Sequence, residues 1–97
     1  MEKLTASEQD LVNAICLYTA DQKKISPEEV EVELIYDDEE RDPFSAEVMI
    51  HGRKIEYNTR NIIEAVRFWL QSEMNRDPYS GIELILDDEE GIIASIN

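Results

Sequence analysis

Several of the residues on which familiar protein chemistry relies are scarce here. The chain of 97 residues holds one cysteine, Cys16, one histidine, His51, one tryptophan and three glycines. A lone cysteine excludes an intramolecular disulfide framework and any Cys-x-x-Cys pair, and it fits a reducing compartment. Three glycines leave the backbone little scope to cradle phosphates, and no glycine-rich phosphate loop is present. No apolar run approaches the ~20 residues of a membrane-spanning helix. The segment Met1-Glu2-Lys3-Leu4-Thr5-Ala6-Ser7 lacks the basic start and apolar stretch of a secretory signal. A cytoplasmic protein without a membrane partner is the expectation.

Positive charge is scarce as well. Nine Lys and Arg stand against 23 Asp and Glu, giving a net charge of −14. Because nucleic-acid affinity comes largely from neutralising phosphates with basic side chains, direct DNA or RNA binding is disfavoured, and anionic membrane surfaces are disfavoured with it.

Repetition is what the chain has in plenty. Glu33-Leu34-Ile35-Tyr36-Asp37-Asp38-Glu39-Glu40 returns as Glu83-Leu84-Ile85-Leu86-Asp87-Asp88-Glu89-Glu90, with Tyr36 replaced by Leu86. Upstream, the run Asp10 to Tyr18 matches Asn61 to Trp69 in character, with one residue of slippage. The chain reads as one domain, residues 1–97, made of two pseudo-repeats at about 1–50 and 51–97. A chain of this size supports one core, burying roughly two-thirds of its unfolded surface, whereas a stacked array needs three or more units.

Helical spacing organises two segments. Thr5-x-x-Glu8 has the form of a capping box, so the first helix should begin near Thr5 or Ser7 and run to Lys23 or Lys24. Leu11, Val12, Ile15, Tyr18 and Thr19 form its apolar stripe. A second helix, capped by Asn58 or Thr59, carries Ile62, Ile63, Ala65, Val66, Trp69 and Leu70, and should stop before Asp77-Pro78. Period-two alternation predicts strands at Val30–Tyr36, 44–50, 53–57, 82–87 and 91–96. His51-Gly52 supplies a two-residue turn, and pairing Ile50 with Arg53 across it gives a coherent apolar face. That register also sets Glu47 against Glu56, which calls for compensation by Arg53 or Lys54, or for a bulge.

These elements predict an α+β two-layer sandwich: a mainly antiparallel sheet of five strands carrying both helices on one face, built from pseudo-duplicated α-β-β units. Lys3-Leu4, matching Lys54-Ile55, hints at a short sixth strand and no more. Three segments, Asn13-Ala14-Ile15-Cys16-Leu17, Glu29 through Asp38, and Phe44-Ser45-Ala46-Glu47-Val48, resemble the small YxcD-like proteins of Bacillus and its relatives. The likeness spans nearly the whole chain. It implies a bacterial cytosolic protein of this fold and supplies no catalytic residues.

Candidate chemistry is thin. The acidic turns, Asp37, Asp38, Glu39, Glu40 with Asp42, and Asp87, Asp88, Glu89, Glu90, offer the oxygens that divalent cations prefer. Yet the EF-hand spacing is absent, and four consecutive acids in extended chain alternate in direction. A solvated hairpin tip that resists aggregation is the simpler reading. His51 fits a turn role, and Cys16, beside the first helix's stripe in an acidic chain, lacks the neighbouring cation of a reactive thiol. No nucleophile, base and pocket come together, so a non-enzymatic protein without a cofactor is expected.

A further signal is apolar residues on faces that should meet water. Leu17 and Phe68, at matching places in the two repeats, point more than about 120° from their helices' stripes. Ile35, Met49, Ile85 and Ile93 project from the sheet face away from the helices, among glutamates, where polar residues normally alternate. These six are the interface candidates, the alternative for Leu17 and Phe68 being that they tuck against loops such as Pro78-Tyr79 within the monomer. The expected function is a protein-interaction or regulatory module that self-associates as a dimer. A divalent-metal-responsive protein acting through the acidic turns and a nucleic-acid mimic using the acidic surface are the alternatives.

Overall fold

The computed structural model describes residues 4–97. Met1, Glu2 and Lys3 lie outside the described residues, so the strand hinted at by Lys3-Leu4 is seen from Leu4 onward. The elements in chain order are β1 (Leu4–Ala6), α1 (Glu8–Lys23), a single 3-10 turn (Pro27–Glu29), β2 (Val30–Tyr36), β3 (Phe44–Ile50), β4 (Arg53–Tyr57), α2 (Thr59–Ser72), β5 (Ile82–Asp87) and β6 (Gly91–Ile96).

Local chemistry explains where each helix starts. Ser7, not Thr5, caps α1: its hydroxyl accepts the Asp10 amide while the Asp10 carboxylate accepts the Ser7 amide. Thr5 belongs to β1. Asn58 caps α2 in the same reciprocal way with Asn61. Each arrangement satisfies two amides that the first turn leaves unpaired. Lys24 ends α1 in the left-handed conformation, φ 61°, and the chain turns there into Ile25 and the 3-10 turn. The 3-10 turn was not foreseen, although Ser26-Pro27-Glu28-Glu29 carries its signal: a capping serine, proline at the first position and a returning glutamate.

All strand pairings are antiparallel, but the single five-stranded sheet is corrected. Six strands form two three-stranded sheets, ordered β1-β6-β5 and β2-β3-β4. Among the edges, β2 carries Glu31 and Glu33 and β5 carries Glu83 and Asp87, so joining those two would set like charges side by side, while edge strand β4 carries Arg53 and Lys54 beside Glu56.

Each sheet is a hairpin with a third strand added to it. β4 adds to the β2-β3 hairpin with Ala46 opposite Tyr57, and β1 adds to the β5-β6 hairpin with Ala94 opposite Ala6. Leu34 pairs with Ala46 as Leu84 pairs with Ala94. The hairpins differ in their turns: residues 37–43 lie inside the Tyr36–Phe44 rung, and the shorter stretch 87–91 inside the Leu86–Ile92 rung. The β3-β4 register is the predicted one, Ile50 with Arg53 and Glu47 with Glu56, without a bulge.

Strand residues of one parity, Val30, Ala46, Val48, Leu84, Ile92, Ala94 and Ile96, join Leu11, Ala14, Ile15, Ile62, Ala65, Val66, Trp69 and Leu70 in one core. Fully burying a side chain such as Leu11, Ile15, Ile62 or Leu70 contributes roughly 1.5–3 kcal/mol. Thr19 is the one buried polar residue among the described residues, and its hydroxyl lies 2.8 Å from the Tyr57 hydroxyl, linking α1 to β4.

Two glycines turn with positive φ. Gly52 (φ 82°) has nothing within 4 Å of where a Cβ would sit, whereas at Gly91 (φ 79°) a Cβ would come 2.5 Å from Glu8 Oε2. Gly52→Ala should therefore cost about 1–2 kcal/mol from backbone strain alone, and Gly91→Ala should cost more. Urea unfolding of the two variants checks the order; equal losses would mean that Glu8 moves aside freely.

Candidate functional site

Two neighbouring depressions lie along the α1–α2 seam, with apolar side chains that are partly buried in their lining. On α1 and its cap, Asn13, Cys16, Leu17, Ala20, Asp21 and Lys24 recur at three- and four-residue steps, which places them along one side of the helix. Phe68, Trp69, Ser72 and Glu73 face them from α2 and its C-cap. The left-handed exit at Lys24 brings Ile25 and Pro27 along the same side. Between these elements lies a depression of about 400 Å³ lined by Leu17, Ala20, Asp21, Lys24, Ile25, Pro27, Phe68, Ser72 and Glu73. A neighbouring one of about 340 Å³ shares Leu17, Pro27 and Glu73 and adds Asn13, Cys16, Glu28 and Trp69.

Leu17 and Phe68, singled out separately by sequence, thus line a single groove. Phe68 is held by edge-to-face contact with Tyr18, ring centroids 5.9 Å apart, and Tyr18 in turn meets Tyr57 at 6.4 Å. Burial pushes the Tyr18 phenol above its ordinary pKa, with Glu64 and then Tyr57 adding to the effect. Past Phe68 the surface continues to Pro78 and Tyr79, the latter 85% exposed. Arg67 holds that loop by donating to the carbonyl oxygens of Pro78 at 2.6 Å and Ser80 at 3.3 Å.

The sheet-face candidates divide. Ile85 and Ile93 are register partners on the outer face of β5-β6, and Ile85 remains 36% exposed beside the open β5 edge. Leu86, on the opposite face near the turn, is 46% exposed. Ile35 and Met49 share the outer face of the other sheet but do not touch as a patch. Between their rungs runs a row of three register partners, Glu33, Glu47 and Glu56. Lys54 Nζ reaches Glu47 at 3.4 Å, the compensation that the sequence called for.

In the acidic turns, the first aspartate of each serves the backbone. The Asp37 carboxylate accepts the Glu39 amide at 3.1 Å; Asp87 accepts the amides of Glu89 at 3.1 Å and Glu90 at 2.8 Å. These are side-chain-closed turns of the kind aspartate favours. Asp38, Glu39, Glu40, Asp88, Glu89 and Glu90 are exposed. The Asp42 carboxylate accepts from the hydroxyl and amide of Thr59, tying the turn to α2. Among the described residues, no three or more His, Cys, Asp or Glu side chains are grouped so as to hold a metal ion.

His51 occupies the predicted turn, with φ 49°, and its Nε2 lies 2.7 Å from Glu29 Oε1. The Ser26 amide, and after it the His51 ring, hold the Glu29 carboxyl below the usual carboxylate range. A depressed folded-state pKa contributes stability above the unfolded pKa and loses it as pH falls through the folded value. The contribution from Glu29 is therefore lost as pH falls through its depressed folded value. In a carbon-13 titration Glu29 should show a midpoint below that of a free glutamate, and His51→Ala should return it only part of the way, since the Ser26 amide is the larger cause.

Cys16 is half-buried, its thiol directed at the Val30 carbonyl oxygen 3.6 Å away, and burial raises its pKa. The nucleophile is the thiolate, so an aromatic disulfide reagent at neutral pH should modify the folded protein far more slowly than the urea-unfolded chain. Equal rates would show the thiol to be open.

Comparison with known proteins agrees with the resemblance in the sequence. A family model described as "Protein of unknown function (DUF2653)" matches residues 1–89. The uncharacterized protein YxcD of Bacillus subtilis (strain 168) is 31% identical over 96 residues, covering 97% of this chain and 92% of its own length. No solved structure matches the chain.

Proposed function

The chain belongs to the YxcD-like DUF2653 family, and from that footing we propose that it is a non-enzymatic protein-interaction module that docks a partner in the groove between α1 and α2. One observation carries this reading: Leu17 and Phe68, each partly buried, line a single depression between the two helices. A helix-walled depression with a partly apolar lining is a form that binding surfaces take. The acidic turns have a structural task in this reading, closing hairpins and keeping their tips in water.

The matched registers of the two sheets and the recurring acidic string support descent of the fold from a duplicated β-α-β-β unit, with β1 and β4 exchanged between the copies. On this view the groove lies where the two copies' equivalent positions, Leu17 and Phe68, come together.

Self-association belongs to the same reading but to a different surface. The Ile85–Ile93 pair beside the open β5 edge is the seat for a second copy, whereas Ile35 and Met49, divided by the glutamate row, are not part of it. Light scattering should give a species of twice the 11.3 kDa chain mass, restored to the monomer by Ile85→Glu. A monomer at every concentration and salt would remove the dimer.

The docking surface is tested by affinity capture from cell lysate with the wild-type chain and with Leu17→Ser/Phe68→Ser. The variant should keep its circular dichroism spectrum and lose the captured protein. Identical capture by both would overturn the assignment.

A further inference from the structure

We infer that the occupant of the α1–α2 groove is an amphipathic helix from another protein, with an apolar stripe flanked by Lys and Arg; the inference rests on the reading of the groove as the docking site. Shape comes first. The α1 wall runs from Asn13 to Lys24, eleven residue steps, or about 16 Å at the helical rise. That is three turns, enough to take the i, i+3 or i+4, and i+7 anchors by which a helix lies in a groove.

Charge narrows the partner. Asp21, Glu28 and Glu73 stand along the two joined depressions, and Glu64 at their extension past Phe68. On the basic side there are Lys24 and Arg67, and Arg67 already donates to the Pro78 and Ser80 carbonyls. The rim is therefore acidic, on a chain whose net charge is −14. A second copy of this chain is a poor occupant: both rims are acidic, and the apolar stripes of α1 and α2 are already buried in the core, so neither helix has one to offer. A cationic partner gains attraction on approach and discrimination against acidic competitors, with sensitivity to salt as the signature.

Trp69, the single tryptophan, lines the groove and reports on it by fluorescence. The test uses the full chain and two synthetic helical peptides of about 18 residues. Both have leucines at i, i+3, i+4 and i+7; one has lysine flanks, and its twin has glutamate at every lysine. The lysine peptide should bind saturably, change the Trp69 emission and shift the Leu17 and Phe68 resonances, and it should lose about tenfold in affinity between about 50 and 500 mM salt. The glutamate twin should not saturate. Glu28→Lys/Glu73→Lys, which leaves the apolar floor intact, should reverse the preference.

Equal binding of both peptides would overturn the basic-partner inference and leave the docking site standing. Binding of neither peptide to the folded chain would overturn the site and the inference together.

Discussion

Two sheets with no strand pairing between them among the described residues must bury their inner faces in one core, and the addition of β4 and β1 as third strands is the constraint on which the rest depends. Without β4 the β2-β3 hairpin would be a two-stranded ribbon, and without β1 the β5-β6 hairpin would be another; such ribbons are marginal alone. Each of these third strands sits directly before a helix, so α1 and α2 are delivered to the shared core from opposite sheets. The Thr19–Tyr57 hydroxyl contact ties α1 to β4. Residues with little bulk, Ala14, Ala65, Ala46, Ala94 and Ala6, occupy fully buried positions and leave room for Leu11, Ile62, Trp69 and Leu70.

An excess of negative charge shapes what remains outside that core. Carboxylates occupy the turn tips, the outer face of β2-β3-β4 and the rim of the helix groove. The row Glu33, Glu47, Glu56 sets like charges across three strands, a cost of about 0.2–1 kcal/mol per adjacent pair, which Lys54 offsets at one position. The benefit lies at the edges, where Glu31, Glu33, Glu83 and Asp87 discourage indiscriminate strand pairing. Against this background the helix groove gathers partly buried apolar side chains within an acidic rim.

The fold was legible wherever periodicity or turn chemistry is local. Strand limits, the His51-Gly52 turn, the Glu47–Glu56 register and the α2 stripe all follow from side-chain spacing, and the resemblance to YxcD-like proteins agrees with the family match. What spacing cannot express is which hairpin a strand will join: the partners of Ala6 and Tyr57 are set by tertiary packing, so one sheet was expected where two form. Ser7 displaced Thr5 as the helix cap because Thr5 was needed in β1, a competition visible only once Ala94 is opposite Ala6. For the candidate site, the outward angles of Leu17 and Phe68 were readable, whereas their meeting depends on how α1 crosses α2. Ile25 and Pro27 reach the groove wall at a 3-10 turn whose capping serine and proline are local signals, but where that turn lies against α2 is set by tertiary packing.

The pairing of Leu4 with Ile96 has a consequence for biosynthesis. On the ribosome β1 emerges long before β6, its ladder partner among the described residues, has been made. The β2-β3-β4 sheet can assemble before β6 is synthesised, whereas β1 must wait for it, leaving the apolar residues of β1 and α1 without their final cover in the interim. The carboxylates that crowd this chain then act as solubilising ballast for a nascent polypeptide whose first and last described strands meet only late in synthesis.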